Sequence, residues 1–185
     1  MKHLIFLLEE QSMKEVLDIL IPPILPDNMT FQTIPHRGKQ DLEKSIPRKI
    51  RGWGKMPNIE IHFVIARDQD GADCKKTKKR LLSLCAAGGR PDSLVRIVCN
   101  ELESWFLGDL LAIEKAFNRN DLRGLKNRQK YRNPDLLTNA SQELKKLIQN
   151  YQKISGSRAI PNYMNINNNK SPSFRLFFQS IDRIV

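Results

Sequence analysis

Two aspartates stand directly after the most strand-like stretch of this sequence, and their carboxylates are its best-placed reactive groups. Asp68 and Asp70 follow an apolar run at residues 59–66, whose length and β-branched content are typical of a buried parallel strand. In an extended chain, alternate side chains point the same way, so the two carboxylates would lie about 6–7 Å apart. That spacing suits one or two hard divalent cations such as Mg²⁺ or Mn²⁺. A turn rich in aspartate and glycine is the structural alternative.

Further carboxylates follow two other apolar runs, at residues 2–8 and 94–99. Glu9 and Glu10 follow the first run, and Glu101 follows the other. In the strand order 2-1-3-4, the first and third strands are neighbours, and their carboxyl ends flank the crevice where open α/β sheets bind ligands. Carboxylates that converge there repel one another, and a bound cation removes that cost. The expected metal ligands and catalytic groups are Glu9, Asp68 and Asp70, with Glu10, Asp73 and Glu101 as secondary ligands.

Alternating strand and helix patterns must position these acids. Strands are predicted at residues 2–8, 29–34, 59–66 and 94–99, with helices between them. This order indicates a parallel sheet with right-handed crossovers and helices on both faces. Beyond residue 101 the apolar periodicity is helical, including segments at 141–154 and 171–185. We therefore expect a Rossmann-like α/β core over residues 1–118, and a basic loop with a helical C-terminal extension over 119–185, packed on that core.

Capping interpretations compete with functional ones at two places. Ser12 followed by Glu15 predicts a capping box for the first helix. Asn100 followed by Glu103 predicts another after the fourth strand. Glu101 and Glu103 diverge by about 200° on a helix, so this interpretation leaves only Glu101 for the site. Asp73 is also expected to cap the third helix. Both tryptophans, Trp53 and Trp105, are expected in the core rather than as stacking platforms for bases.

The charge balance indicates a polyanionic partner. The 185 residues include 31 Lys and Arg against 20 Asp and Glu, giving a formal net charge of +11. Such a field attracts nucleic acids, although each basic group alone could be a solvated surface. Two basic groups lie at residues 74–80 and 119–132. The side chains expected to hold phosphates are Lys39, Arg67, Lys75, Lys76, Arg128 and Lys130.

Cysteine spacing and hydropathy bear on the compartment. The three cysteines have neither metal-binding nor disulfide-framework spacing, which indicates reduced thiols. Neither a signal-peptide layout nor a run of 18 apolar residues is present. We therefore expect a cytoplasmic protein without a membrane span. The oligomeric state does not follow from the sequence.

Four motifs together resemble the Toprim domain of topoisomerases, primases and related nucleases. They are LEEQS at 8–12, GKQDLE at 38–43, RDQD at 67–70 and ELESW at 101–105. The chain is similar, more specifically, to a bacterial family of Toprim-like proteins. This resemblance implies that these carboxylates hold catalytic Mg²⁺. Members of the family are often found beside ATPases in defence settings. Toprim sequences typically have glycine directly after the first glutamate; Glu10 occupies that position here, so which of Glu9 and Glu10 faces the metal stays open.

The leading functional hypothesis is a metal-dependent nuclease acting on DNA or RNA. The alternative is a non-catalytic Toprim-like partner or nucleic-acid-binding subunit of an ATPase complex, which would also explain the basic surface. A small-nucleotide phosphohydrolase is the third hypothesis.

Overall fold

Four parallel strands form the centre of the protein, in the spatial order β2-β1-β3-β4. A computed structural model of the chain describes residues 2–54, 56 and 59–185, so the predicted core's first residue lies outside it. The strands are β1 (Lys2–Leu8), β2 (Met29–Pro35), β3 (Glu60–Asp68) and β4 (Leu94–Val98). The α/β class and the predicted strand order are confirmed. Strand β3 runs two residues past its predicted end, so Asp68 is its last residue.

Helices cover both faces of the sheet, as predicted. The longer helices are α1 (Gln11–Leu20), α2 (Lys39–Trp53), α3 (Cys74–Ala87) and α9 (Pro172–Asp182). Five shorter helices complete the set: α4 (Glu103–Leu107), α5 (Leu110–Ala116), α6 (Gln129–Arg132), α7 (Ala140–Leu147) and α8 (Lys153–Ala159). None of the described helices is long and apolar enough to cross a membrane.

Alternation along the strands divides the apolar core into two clusters. The odd-numbered side chains of β1 and β3, such as Ile5 and Ile65, pack under α2 and α3. The even-numbered ones, such as Phe6 and Val64, pack against α1 and the helices that follow β4. We call α2 with α3 the thin layer and the opposite helices the thick layer. Residues at successive positions at the end of a strand therefore face different layers.

The thick layer includes the C-terminal part of the chain. Its apolar cluster joins β1 and β3 to buried residues between Leu122 and Ile181. The fully buried ring of Trp105 lies 5.2 Å from the rings of Phe174 and Phe177, centroid to centroid. The core position expected for Trp105 is therefore confirmed, whereas Trp53 is half-buried. Residues 119–185 share one hydrophobic core with residues before 118.

Local predictions about helix starts have different outcomes. Asp73 caps α3, accepting hydrogen bonds from the amides of Lys75 (2.8 Å) and Lys76 (3.0 Å), as predicted. The predicted capping box at Ser12 is wrong, because α1 begins at Gln11, two residues earlier than a Ser12 cap would place it, and the Ser12 hydroxyl donates to Glu10 instead.

The C-terminal half is more broken than its pattern predicted. The predicted helix at 141–154 is two helices, α7 and α8, separated by a loop that contains Tyr151. The predicted loop at 119–132 contains the 3-10 segment Arg123–Asn127 and the short helix α6.

Candidate metal centre

The carboxyl ends of β1 and β3 lie side by side in the middle of the sheet. Leu8 pairs with Ala66, and the amide of Glu9 donates to the carbonyl of Ala66 (3.2 Å). Strand β2 lies beyond β1 and β4 lies beyond β3, so the direction of winding reverses here. Open α/β sheets bind their ligands at this switch point. The acids that follow β1 and end β3 therefore lie at one edge, which we call the carboxylate edge.

Asp68 is the most deeply buried acid of the two predicted strand ends. The residue is 6% exposed, and its Oδ2 accepts a hydrogen bond from the amide of Leu102 (3.2 Å). Oδ1 is buried and has no hydrogen-bond partner in the described protein. Burial raises the pKa of Asp68 well above its usual range; the charge of Glu10 raises it further, and the ammonium of Lys153 opposes both. A buried, unpaired carboxylate oxygen is costly and calls for a functional explanation.

Lys153, the first residue of α8, supplies a positive charge at this edge. Its Nζ lies 2.6 Å from Oε1 of Glu10. Burial acts to lower the pKa of Lys153, but the hydrogen bond to Glu10 and the charges of Glu103 and Asp68 outweigh burial and raise it. Lys153 is therefore a half-buried cation that faces several carboxylates.

Glu103 is a second buried acid near Lys153. It is fully buried, its Oε1 accepts a hydrogen bond from the hydroxyl of Tyr151 (3.2 Å), and its Oε2 has no partner among the described residues. Burial raises its pKa, and Lys153 opposes this. The capping box predicted for Asn100 and Glu103 is wrong. Asn100 has a φ of 57° and its side-chain amide donates to the carbonyl of Asp135, while Glu103 points into the core.

Glu9 faces the thin layer. Its Oε2 accepts a hydrogen bond from the amide of Asp68 (3.2 Å) and lies 3.6 Å from Nε of Arg67. Burial raises the pKa of Glu9, Arg67 lowers it, and the charge of Asp70 raises it again. Arg67 also contacts Glu43 on α2 (3.2 Å), which in turn binds Arg80 on α3 (2.6 Å). Glu9 is thus tied to the thin layer, whereas its neighbour Glu10 contacts the thick layer.

The other predicted ligands lie in different surroundings. Asp70 is exposed in a turn and has a φ of 50°, so the extended geometry expected to align it with Asp68 is wrong. Asp73 is engaged at the start of α3. Glu101 accepts a hydrogen bond from the amide of Ser141 (2.7 Å), in the first turn of α7. Asp73 and Glu101 therefore each satisfy backbone donors at a helix start.

The predicted phosphate contacts divide into engaged and exposed side chains. Arg67 is 4% exposed and paired with two carboxylates. Lys130 lies 2.5 Å from Oε1 of Glu143. The remaining four are all exposed: Lys39, Lys75, Lys76 and Arg128.

The histidine of the β2–α2 turn, His36, has a structural position. Its Nδ1 lies 2.8 Å from the carbonyl of Leu8, and its Nε2 hydrogen-bonds with the hydroxyl of Ser45. Burial lowers its pKa. His36 therefore fixes the end of β1 beside β2.

The donor chemistry of the carboxylate edge fits a hard cation. Carboxylate oxygens are the ligands that Mg²⁺ and Mn²⁺ prefer, and the unpaired oxygens of Asp68 and Glu103 are buried beside other acids. With the side chains as placed, no three His, Cys, Asp or Glu residues of the described ranges form a group that could hold one ion. Lys153 provides the positive charge that faces these acids.

Sequence reasoning missed Lys153, Tyr151 and the burial of Glu103. Lys153 and Tyr151 follow the fourth strand by about fifty residues and belong to no local motif, so no spacing signal marked them. Glu103 lies in the ELESW segment, where the capping pattern gave a competing local explanation.

The fold and the carboxylate edge define a class, that of Rossmann-like α/β proteins with acids at the switch point of the sheet. The chain belongs to the DUF4276 family, a domain of unknown function, whose family model matches residues 8–182. The matched region runs from the end of β1 to the end of α9 and so covers the carboxylate edge and both layers. Neither the comparison with curated proteins nor that with solved structures found a match.

Proposed function

We propose that this chain is a Toprim-like, divalent-metal-dependent nuclease that hydrolyses phosphodiester bonds of DNA or RNA. The observation that carries the proposal is the environment of Asp68 at the switch point. Its carboxylate is buried, has one oxygen without a partner, and faces the negative charge of Glu10. Such an arrangement lowers the stability of the protein by itself, and perturbed acids of this kind cluster at functional sites. The Toprim resemblance of the motifs around Glu9, Asp68 and Glu101 supports the same conclusion.

Different residues of the carboxylate edge would bind the metal ion, stabilise charge and accept a proton in such a reaction. Asp68 and Glu10 would hold Mg²⁺ or Mn²⁺, and a side chain such as Asp70 would have to move to bring a third carboxylate to the same ion. When bound, the ion neutralises phosphate charge and lowers the pKa of a bound water. Lys153 places an ammonium where it can stabilise negative charge on a phosphate oxygen. Burial raises the pKa of Glu9, which suits this carboxylate to accept a proton from an attacking water.

A cleavage assay tests this proposal. Purified protein is incubated with labelled single- and double-stranded DNA and RNA, in Mg²⁺, in Mn²⁺ and in EDTA. Cleavage is expected only with a divalent ion, and Asp68→Asn and Glu10→Gln are expected to reduce its rate by roughly 100-fold or more. The control is Asp92→Asn, an exposed carboxylate paired with Arg90 near the opposite edge of the sheet. Full activity in the Asp68→Asn variant would show that the site is assigned wrongly.

A non-catalytic role is the second candidate, and the ion pair between Lys153 and Glu10 favours it. An acid already neutralised by an internal ammonium has less need of a metal ion. The chain would then act as a nucleic-acid-binding subunit or as a partner of an ATPase. Nucleic-acid binding without cleavage in any metal, together with co-purification of an ATPase, would support this role.

In either role, we propose that the protein acts in the cytoplasm. All three cysteines are free, which fits a reducing compartment. The Toprim resemblance adds bacterial defence as the biological context.

A further inference from the structure

The outer surface of the thin layer is strongly basic. Among the described residues of these two helices, Arg80 is the only cation with a carboxylate partner. Nine of the ten cations are exposed, and Lys49 is half-buried. We call this set the α2–α3 basic face; its members are Lys39, Lys44, Arg48, Lys49 and Arg51 on α2, and Lys75, Lys76, Lys78, Lys79 and Arg80 on α3.

In the second basic group, at residues 119–132, three of the six cations have carboxylate partners within the protein. Arg119 lies 2.6 Å from Asp121, Arg123 lies 2.9 Å from Glu114, and Lys130 lies 2.5 Å from Glu143. The first ion pair lies within the segment, and the other two connect the segment to α5 and α7. In the sequence the two basic groups look equivalent, but in the structure they differ in how many charges remain available.

The cations of α3 are placed where they do not favour the helix. All five lie in its first seven residues, and its first turn contains no acid. Positive charge at a helix N-terminus opposes the helix dipole. Lys75 and Lys79, and likewise Lys76 and Arg80, are four residues apart, a spacing at which like charges repel. Local stability therefore gives no reason for this arrangement, whereas a bound polyanion does.

Both helices of the basic face begin at the carboxylate edge. The amide of Gly38, directly before α2, donates to the carbonyl of Glu9 (2.9 Å). Helix α3 begins four residues after Asp70. The ion pairs that run from Glu9 through Arg67 and Glu43 to Arg80 connect the edge to the face.

We propose that one strand of a nucleic acid lies along the α2–α3 basic face and reaches the carboxylate edge at the N-terminal ends of the two helices. The contact is with the phosphate backbone, because lysines and arginines dominate this surface. Helix α2 has 15 residues and is therefore about 22 Å long, enough to face roughly six phosphates of one strand. This inference rests on the proposed function only for what happens at the edge itself.

Binding without metal tests the inference independently of cleavage. The affinity of the full chain for a fluorescent 20-nucleotide single strand is measured by anisotropy in EDTA, over a series of salt concentrations. The face variant combines Lys75→Gln, Lys76→Gln, Lys78→Gln and Lys79→Gln. The matched control removes four exposed cations from the part of the chain that packs into the thick layer: Lys115→Gln, Lys126→Gln, Arg132→Gln and Lys145→Gln.

The two variants have equal charge changes but different expected effects. The face variant is expected to lose at least about tenfold in affinity, and its plot of log affinity against log salt is expected to be shallower by about 3. The control is expected to bind within about twofold of the parent. Equal losses in both variants, or a larger loss in the control, would overturn the inference. Thermal unfolding of both variants confirms that each is folded.

Cleavage by the same proteins separates this inference from the proposed function. If the parent binds through the face but no metal supports cleavage, the nuclease proposal fails and the inference stands. If the parent cleaves and the face variant binds and cleaves as well as the parent, the inference fails and the nuclease proposal stands.

Discussion

At the scale of single residues, Asp68 is an acid whose presence is expected to lower the stability of the protein. Replacing Asp68 with Asn removes a buried charge and its repulsion by Glu10, while the amide oxygen can still accept from Leu102. We expect Asp68→Asn to raise the free energy of unfolding of the metal-free protein at pH 7 by about 1–2 kcal/mol. Urea denaturation measures the change.

The size of this stabilisation depends on pH. The folded pKa of Asp68 is raised, whereas the unfolded value is about 3.9, so the folded state is favoured at low pH and that advantage is lost as pH rises above 3.9. The gain from Asp68→Asn should therefore grow between pH 4 and pH 7. The contrasting variant is Glu114→Gln, a buried carboxylate that accepts from the amides of Leu122 (2.7 Å) and Arg123 (2.8 Å). Glu114→Gln should lose stability; a loss in Asp68→Asn as well would make Asp68 a structural acid.

The sequence predicted which acids lie at neighbouring strand ends in the candidate site. Asp68, Glu9 and Glu10 follow apolar runs, and the order of elements makes their strands neighbours. The direction of each side chain was not predictable, because it depends on where β3 ends and on the turn at Asp70. Lys153 could not be predicted, since only tertiary packing of α8 brings it to Glu10.

At the scale of elements, α8 positions Lys153 through close packing with the loop before it. A Cβ atom at Gly156 would lie 2.2 Å from Cε2 of Tyr151, the residue that hydrogen-bonds to Glu103. We expect Gly156→Ala to displace this ring and to destabilise the protein by about 1–3 kcal/mol. Chemical denaturation gives the value, and the fluorescence or NMR signal of Tyr151 reports the displacement.

The control for this substitution is Gly124→Ala in the 3-10 segment. A Cβ atom at Gly124 meets nothing within 4 Å. Its effect on stability should be close to zero or slightly favourable. Equal effects of the two substitutions would mean that α8 tolerates the extra methyl group and that Tyr151 does not fix its position.

Elements with strong local signals were the predictable ones. The first three helices and all four strands follow from apolar periodicity bounded by turn residues, and α3 begins directly after its predicted cap, Asp73. The break between α7 and α8 did not follow from the pattern, because Tyr151 turns into the core to reach Glu103. Tertiary contacts there override a local helical pattern.

At the scale of the whole molecule, the thick layer makes the C-terminal extension part of the core. Phe177 on α9 is fully buried against Trp105 and Phe6, whereas its neighbour Leu176 is 52% exposed. We expect Phe177→Ala to cost about 3–5 kcal/mol and Leu176→Ala to have little effect. Calorimetry of both variants measures the loss and should show one cooperative transition for the full chain.

Truncation gives the complementary measurement. A fragment that ends at residue 118 would expose the apolar faces of β1, β3 and α4, and it should fail to fold. Cooperative unfolding of that fragment would contradict a shared core and would restore two independent units.

Glu9 and Glu10 make the carboxylate edge the meeting point of the two layers. Arg67 ties it to the thin layer, and Lys153 ties it to the thick layer. An anion that arrives at this edge competes for those two cations, and a cation competes for the carboxylates that hold them. Ligand binding is therefore an exchange of partners within an existing ion-pair network, and a ligand that displaces both Arg67 and Lys153 changes the contacts of both helical layers.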